Sequence, residues 1–227
     1  GVEWGYGVAT DAAGNVYLTG STDSPAGIAS GGFQNTFGGG TNDAFLVKFD
    51  AATGNRLWAT YYGGAGNDVG LSVVPDAAGN VYVAGSTVNT SGIASGGFQN
   101  TYGGGIGDAF LVKFDVATGA RIWATYYGGT GADVGYSVTT NSGNVYMTGA
   151  TYSTAGIASG GFQNAGGGAF NDAFLVKFDA ATGSRFWGTY YGGTNADIGL
   201  SVVTDAAGNV YVGGDSFGPS NIASGGF

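Results

Sequence analysis

Neither histidine nor cysteine occurs among the 227 residues, and methionine occurs once, as Met147. Zinc, haem and iron–sulfur centres thereby lose their usual ligands, and a disulfide is impossible. Every mechanism that needs a histidine base goes as well. Zero cysteine leaves the compartment open, because it suits a cytosolic chain as well as a secreted bacterial one. Charge is also scarce. Charged residues make up 9% of the chain, against about 25% in an average domain. The net charge of −9 argues against nucleic acid, which needs a basic surface to displace phosphate counterions. No apolar run is long enough to cross a membrane as a helix. With three prolines and no Gly-X-Y period, collagen is excluded. The chain opens on Gly1 without a methionine, so it reads as a window on something longer.

Glycine is what the chain has instead: 49 residues, where an average share is about 7%. Hydrophobic residues still make up 43% and aromatics 14%, which supplies a core and excludes disorder.

The chain repeats itself. Asp43 to Asp50 reads D-A-F-L-V-K-F-D and recurs unchanged from Asp108 to Asp115 and from Asp172 to Asp179, spaced 65 and then 64 residues apart. Gly14-Asn15-Val16-Tyr17 recurs from Gly79, Gly143 and Gly208, and Trp58, Trp123 and Trp187 each begin a W-[AG]-T-Y-Y-G-G run. The missing residue lies where Asp76-Ala77-Ala78-Gly79 becomes Asn141-Ser142-Gly143. The copies run over about 1–65, 66–130, 131–194 and, in part, 195–227.

One copy predicts four strands: A over Leu71–Val74, B over Asn80–Ala84, C over Ala109–Phe114 and D over Arg121–Tyr127. Their β-branched and aromatic content, with Gly, Asp and Asn between them, is strand and hairpin chemistry. The D-x-x-G turns suit tight hairpins, because Asp caps locally and Gly takes positive φ. Four short antiparallel strands at a fixed period predict an all-β chain. The expected architecture is a β-propeller arc of four-stranded blades, three whole and one half. A stacked β-solenoid is the alternative. Small residues on A (Gly70, Ser72) suit a crowded innermost strand, and Arg56, Arg121 and Arg185 on D suit an outer edge. Between B and C lies an insertion containing G-I-A-S-G-G-F-Q-N, at Gly27–Asn35, Gly92–Asn100 and Gly156–Asn164.

These motifs together resemble the bacterial SBBP-type repeat, named for a seven-bladed β-propeller. The resemblance covers essentially the whole chain. It implies a large secreted or surface-attached bacterial protein, and the G-I-A-S element is similar to cell-surface proteins exported with a type IX sorting domain.

Several motifs point toward chemistry. Gly214-Asp215-Ser216-Phe217-Gly218 matches the G-x-S-x-G elbow, but that motif needs a strand-to-helix turn and a histidine. The runs Gly38–Gly40 and Gly103–Gly105 resemble phosphate cradles, yet a strand follows each instead of a helix N-terminus. Gly63–Asp68 and Gly128–Asp133 match the start of the calcium repeat G-G-x-G-x-D, with Asn195 breaking the third copy. Antiparallel pairing brings the start of C beside the end of D. The calcium candidates are therefore Asp43, Asp68, Asp108, Asp133, Asp172 and Asp197, each needing further oxygens to reach the 6–8 that calcium takes. The competing reading is that these residues cap Gly-rich turns by accepting backbone N–H groups. No other cofactor is expected. The six basic residues read as blade-edge charges pairing with Asp50-type turns. The Trp and Tyr-Tyr positions read as packing between blades or as a lectin's stacking platforms. Asn89-Thr90-Ser91 is a lone glycosylation sequon.

The expected function is a non-enzymatic extracellular or cell-surface scaffold presenting its B–C loops to a protein or glycan; a carbohydrate-binding propeller is the alternative. The three insertions, with the truncated fourth at Ile222–Phe227, are expected to crowd one face, where a partner would bind. Three and a half blades fall short of the four to eight that close a ring. The remaining blades are expected from the same polypeptide or from neighbouring copies.

Overall fold

A computed structural model describes residues 1–218. It contains fourteen strands and, among the described residues, no helix. The first sheet is β1 (Glu3–Thr10), β2 (Val16–Thr22), β3 (Asp43–Phe49) and β4 (Arg56–Tyr62), hydrogen-bonded in chain order. The second is β5 (Asp68–Pro75), β6 (Asn80–Thr87), β7 (Asp108–Asp115) and β8 (Arg121–Tyr127). The third is β9 (Asp133–Asn141), β10 (Asn144–Thr151), β11 (Asp172–Asp179) and β12 (Arg185–Tyr191), and a half blade follows with β13 (Asp197–Thr204) and β14 (Val210–Ser216). Every described pairing of these strands is antiparallel. The chain is an all-β arc of propeller blades.

Strand β7 shows why the copies stack radially. It is buried on both faces, unlike a strand with one face in water. Its alternate residues enter different cores. Phe110, Val112 and Phe114 join Trp58 and Tyr62 of the first blade, whereas Ala109 and Leu111 join Met147, Phe174 and Phe178 of the third. Each core therefore lies between blades, and the period of two distributes one strand across two neighbours. The first strands β1, β5, β9 and β13 pack against one another as the innermost layer.

The turns follow their local chemistry. In the A–B turn, Asp76 accepts from the Ala78 and Asn80 N–H groups, the Asn80 amide and the Tyr82 hydroxyl. In the C–D turn, Asp115 Oδ1 accepts from Ala117 N, Thr118 N and Thr118 Oγ1, and Gly119 closes it at φ +67°. The shortened third copy turns through Ser142 and Gly143, both at positive φ, as a two-residue hairpin requires. A bulge at Leu71 shifts the β5–β6 register between Gly70 and Ser72. There a Cβ on Gly85 would meet the Val69 carbonyl oxygen at 1.8 Å, so only glycine fits.

Candidate functional site

The B–C insertions do not crowd one face. Each runs down the outer edge of its own blade, where Ser95 and Ala124 exchange backbone hydrogen bonds and Tyr126 N–H donates to the Gln99 carbonyl. The first insertion pairs with β4 in the same way through Ser30 and Gln34, and the third with β12 through Ser159 and Gln163. The physical reason is that strand D presents an unpaired ladder, and a Gly/Ser-rich segment beside it satisfies that ladder cheaply. Arg56 anchors the far end by donating to the Gly27 and Ile28 carbonyls, and Arg121 and Arg185 do likewise. The truncated fourth insertion at Ile222–Phe227 lies outside the described residues.

The lysines do meet Asp50-type turns, but those of the next blade: beside the bonds from Thr118 and Thr182, Lys48 helps to lower the Asp115 carboxyl and Lys113 that of Asp179, while the arginines bond the insertions instead. Lys48 Nζ crosses to the Val116 carbonyl of the next blade at 3.0 Å, and Lys113 Nζ crosses to Ala180 at 2.7 Å. Trp58 and Trp123 donate their indole N–H to the same two carbonyls. Tyr62 and Tyr127 hydroxyls reach the Ile93 and Ile157 carbonyls of the following insertions. These aromatics are buried and pack blade on blade, leaving no stacking platform at those positions.

The six candidate aspartates form three pairs, one at each junction between blades. Asp43 opens β3 and Asp68 opens β5, and Gly63 lies between their carboxylates. A Cβ there would sit 2.5 Å from Asp68 Oδ2 and 2.9 Å from Asp43 Oδ1. Gly128 separates Asp108 from Asp133, and Gly192 separates Asp172 from Asp197, in the same manner. All six are buried, Asp43 and Asp68 completely. Capping is present. Asp43 Oδ2 accepts from Gly38 N–H at 2.5 Å, and Asp68 Oδ2 from Gly64 N–H at 3.0 Å and the Asn89 amide at 2.6 Å. It is also incomplete: Oδ1 of Asp43, Asp68, Asp108, Asp172 and Asp197 is buried without a hydrogen-bond partner, as is Asn42 Oδ1. Burial pushes the Asp43 carboxyl up to about 6. Burial, with the neighbouring Asp43 charge adding to it, pushes Asp68 up to about 7, and burial beside Asp133 does the same for Asp108.

Other motifs take structural roles. Gly103 N–H donates to Asp108 Oδ2 at 2.6 Å, so the glycine run cradles a carboxylate of its own chain. Ser216 ends β14 opposite Asp197 in a strand pair, which is not an elbow. Asn89, read from sequence as a sequon, is buried; its amide holds Asp68 and its Oδ1 accepts from Gly66 N–H. The signal for that role was its place two residues after β6, where Ser24 and Ser153 stand in the other copies. A groove of about 470 Å³ opens between the second and third blades at the hairpin-turn end, lined by Asp76, Asn80, Lys113, Asn141 and Asn144 among others. No motif in the sequence marks it.

Residues 3–25 match the SBBP family, described as a beta-propeller repeat. No curated protein matches the chain. Among solved structures, it is similar to a quinohemoprotein alcohol dehydrogenase from Pseudomonas putida HK5, at 17% identity and a TM-score of 0.45. That alignment covers 94% of this chain and 30% of the dehydrogenase, so the chain spans under a third of that protein's length.

Proposed function

We propose that the chain is a non-enzymatic scaffold, part of a larger propeller at the bacterial surface or outside the cell, that offers its outer rim to a protein or glycan. The observation that carries this reading is where the chemically capable side chains are used. The arginines, Lys48 and Lys113 bond backbone carbonyls, and the turn aspartates cap turns. What faces water repeatedly is the insertion: Thr90, Ser91, Phe98 and Asn100 in the second copy, with their counterparts in the others. Loops held on a rigid frame are where recognition concentrates.

Two uncovered apolar faces support the larger ring. Trp4, Tyr6 and Val8 are exposed on the first blade, and Leu200, Val203, Tyr211 and Val212 on the half blade. Patches of that kind are normally covered. Further blades of the same polypeptide, or of neighbouring copies, would cover them. The SBBP resemblance supports export, and the G-I-A-S element supports a type IX route in particular.

The test is binding of the 227-residue chain to a glycan array and to cell-envelope fractions, alongside hydrolase and oxidoreductase assays. Binding that is lost in a Thr90→Ala/Ser91→Ala/Asn100→Ala variant with unchanged thermal stability supports the rim. Turnover of any substrate overturns the non-enzymatic reading.

A further inference from the structure

We infer that the junction of the first two blades is a calcium site built on Asp43 and Asp68, with Asn42 beside them, and that the Asp172–Asp197 junction is a second. Two carboxylates are completely buried at the first junction, and no Lys or Arg faces them. The positive groups that cross between blades end on the Val116 and Ala180 carbonyls instead. Burying uncompensated carboxylates costs several kcal/mol each, so a cation or a bound proton must neutralise them. The available backbone N–H groups occupy only one oxygen of each carboxylate. Asp43 Oδ1, Asp68 Oδ1 and Asn42 Oδ1 are left buried and unbonded. Asn42 immediately precedes Asp43, and its own carbonyl accepts the Asp68 N–H at 2.9 Å, so the three residues belong to one junction.

The donors are all oxygen, which selects a hard cation. Calcium tolerates an irregular set completed by water, whereas magnesium demands a near-ideal octahedron. Two carboxylates with water place the affinity on the order of 10⁻⁴–10⁻³ M, the range of extracellular calcium modules.

The three junctions are not equivalent, which makes the inference specific. At the middle one, Asp133 Oδ1 accepts the Thr151 hydroxyl, and its Oδ2 accepts the Ser153 hydroxyl and Gly129 N–H. Both oxygens of Asp133 are thereby occupied, and only Asp108 Oδ1 is left over; at the first junction the Thr87 hydroxyl also bonds the Asp68 carboxylate, yet Asp68 Oδ1 stays without a partner. At the third junction both Asp172 Oδ1 and Asp197 Oδ1 are unbonded. Two ions per chain are therefore expected, each joining strand C of one blade to strand A of the next.

The experiment is calorimetric titration of the 227-residue chain with calcium chloride at pH 7.5, with thermal unfolding in calcium and in EDTA. The expected result is saturable binding of two ions. Each site should raise Tm by roughly 3–5 °C at tenfold its Kd. Asp68→Asn should reduce the stoichiometry to one, while Asp133→Asn leaves it at two, with folding of both checked by circular dichroism. Absence of saturable binding overturns the inference, as does an unchanged stoichiometry in folded Asp68→Asn. So does stabilisation by acid alone with no response to calcium, which would assign the positive partner to a shared proton.

Discussion

The Arg121 guanidinium lies 4.4 Å from the centre of the Phe33 ring, although one residue belongs to β8 and the other to the insertion of the preceding blade. Arg185 stands over Phe98 in the same way at 4.2 Å. The first two insertions thus lay their phenylalanines on the next blade's arginine, whose N–H groups are already fixed on that blade's own insertion. The rim is laced together blade by blade. In the third copy the blade that would supply the next arginine has only two described strands, and Phe162 is 78% exposed, against 38% for Phe98.

Removing these rings should therefore have unequal effects. Phe98→Ala loses a cation–π contact and part of a buried face, a cost of about 1–2 kcal/mol. Phe162→Ala should cost less than about 0.5 kcal/mol. Urea unfolding of the two variants checks the contrast.

The tryptophans obey the same rule. Trp123 Nε1 donates to the Ala180 carbonyl across the blade boundary, and Lys113 shares that carbonyl. Trp123→Phe keeps the carbonyl paired but loses one bond and some volume, for about 1–2 kcal/mol. Trp187, half-buried on β12, faces the half blade, which lacks a described C–D turn. Trp187→Phe should shift the thermal midpoint distinctly less than Trp123→Phe.

How much of this was legible follows from which interactions are local. The blades could be read because D-A-F-L-V-K-F-D and its partners recur with strand composition, and because each hairpin turn except the one at Asn141–Gly143 carries its own Asp and Gly. The pairing of Asp43 with Asp68 was readable too, since antiparallel logic sets the start of C beside the end of D. The insertion's path was not. Its course depends on Ser95, in a Gly/Ser-rich segment without periodicity, meeting Ala124 of β8 29 positions further on, drawn there by an unpaired strand edge. The unbonded carboxylate oxygens were equally hidden, because a lone pair without a partner is a property of three-dimensional surroundings. The sequon at Asn89 was likewise silent about place, because three letters do not report burial.

Glycines with different jobs should respond differently. An alanine Cβ at Gly85 would collide with the Val69 carbonyl oxygen at 1.8 Å, and only reopening the bulge relieves it. Gly85→Ala should cost about 3 kcal/mol or more. Gly92 has φ +84° with nothing within 4 Å of its would-be Cβ, so Gly92→Ala pays left-handed strain alone, about 1–2 kcal/mol. Chemical denaturation of the two variants should rank them in that order.

The buried aspartates make stability depend on pH in an unusual direction. Asp68 and Asp108 are pushed up to about 7 and Asp43 to about 6, in each case first by burial. A free aspartate titrates near 4. Between roughly pH 4 and 7 the folded chain therefore holds more protons than the unfolded chain, and folding stability falls as pH rises through that window. Below it the opposite group takes over. Asp50, Asp115 and Asp179 are held below the ordinary value chiefly by their bonds to Thr53, Thr118 and Thr182, so acid removes their contribution. The thermal midpoint in EDTA should accordingly peak near pH 4–5 and decline toward pH 8, where most small domains are flat. Asp68→Asn takes one raised carboxyl out of the set and should make that decline shallower. A midpoint that climbs steadily from pH 5 to pH 8 in EDTA would show that these carboxylates are ionised and compensated in the fold, contrary to their burial.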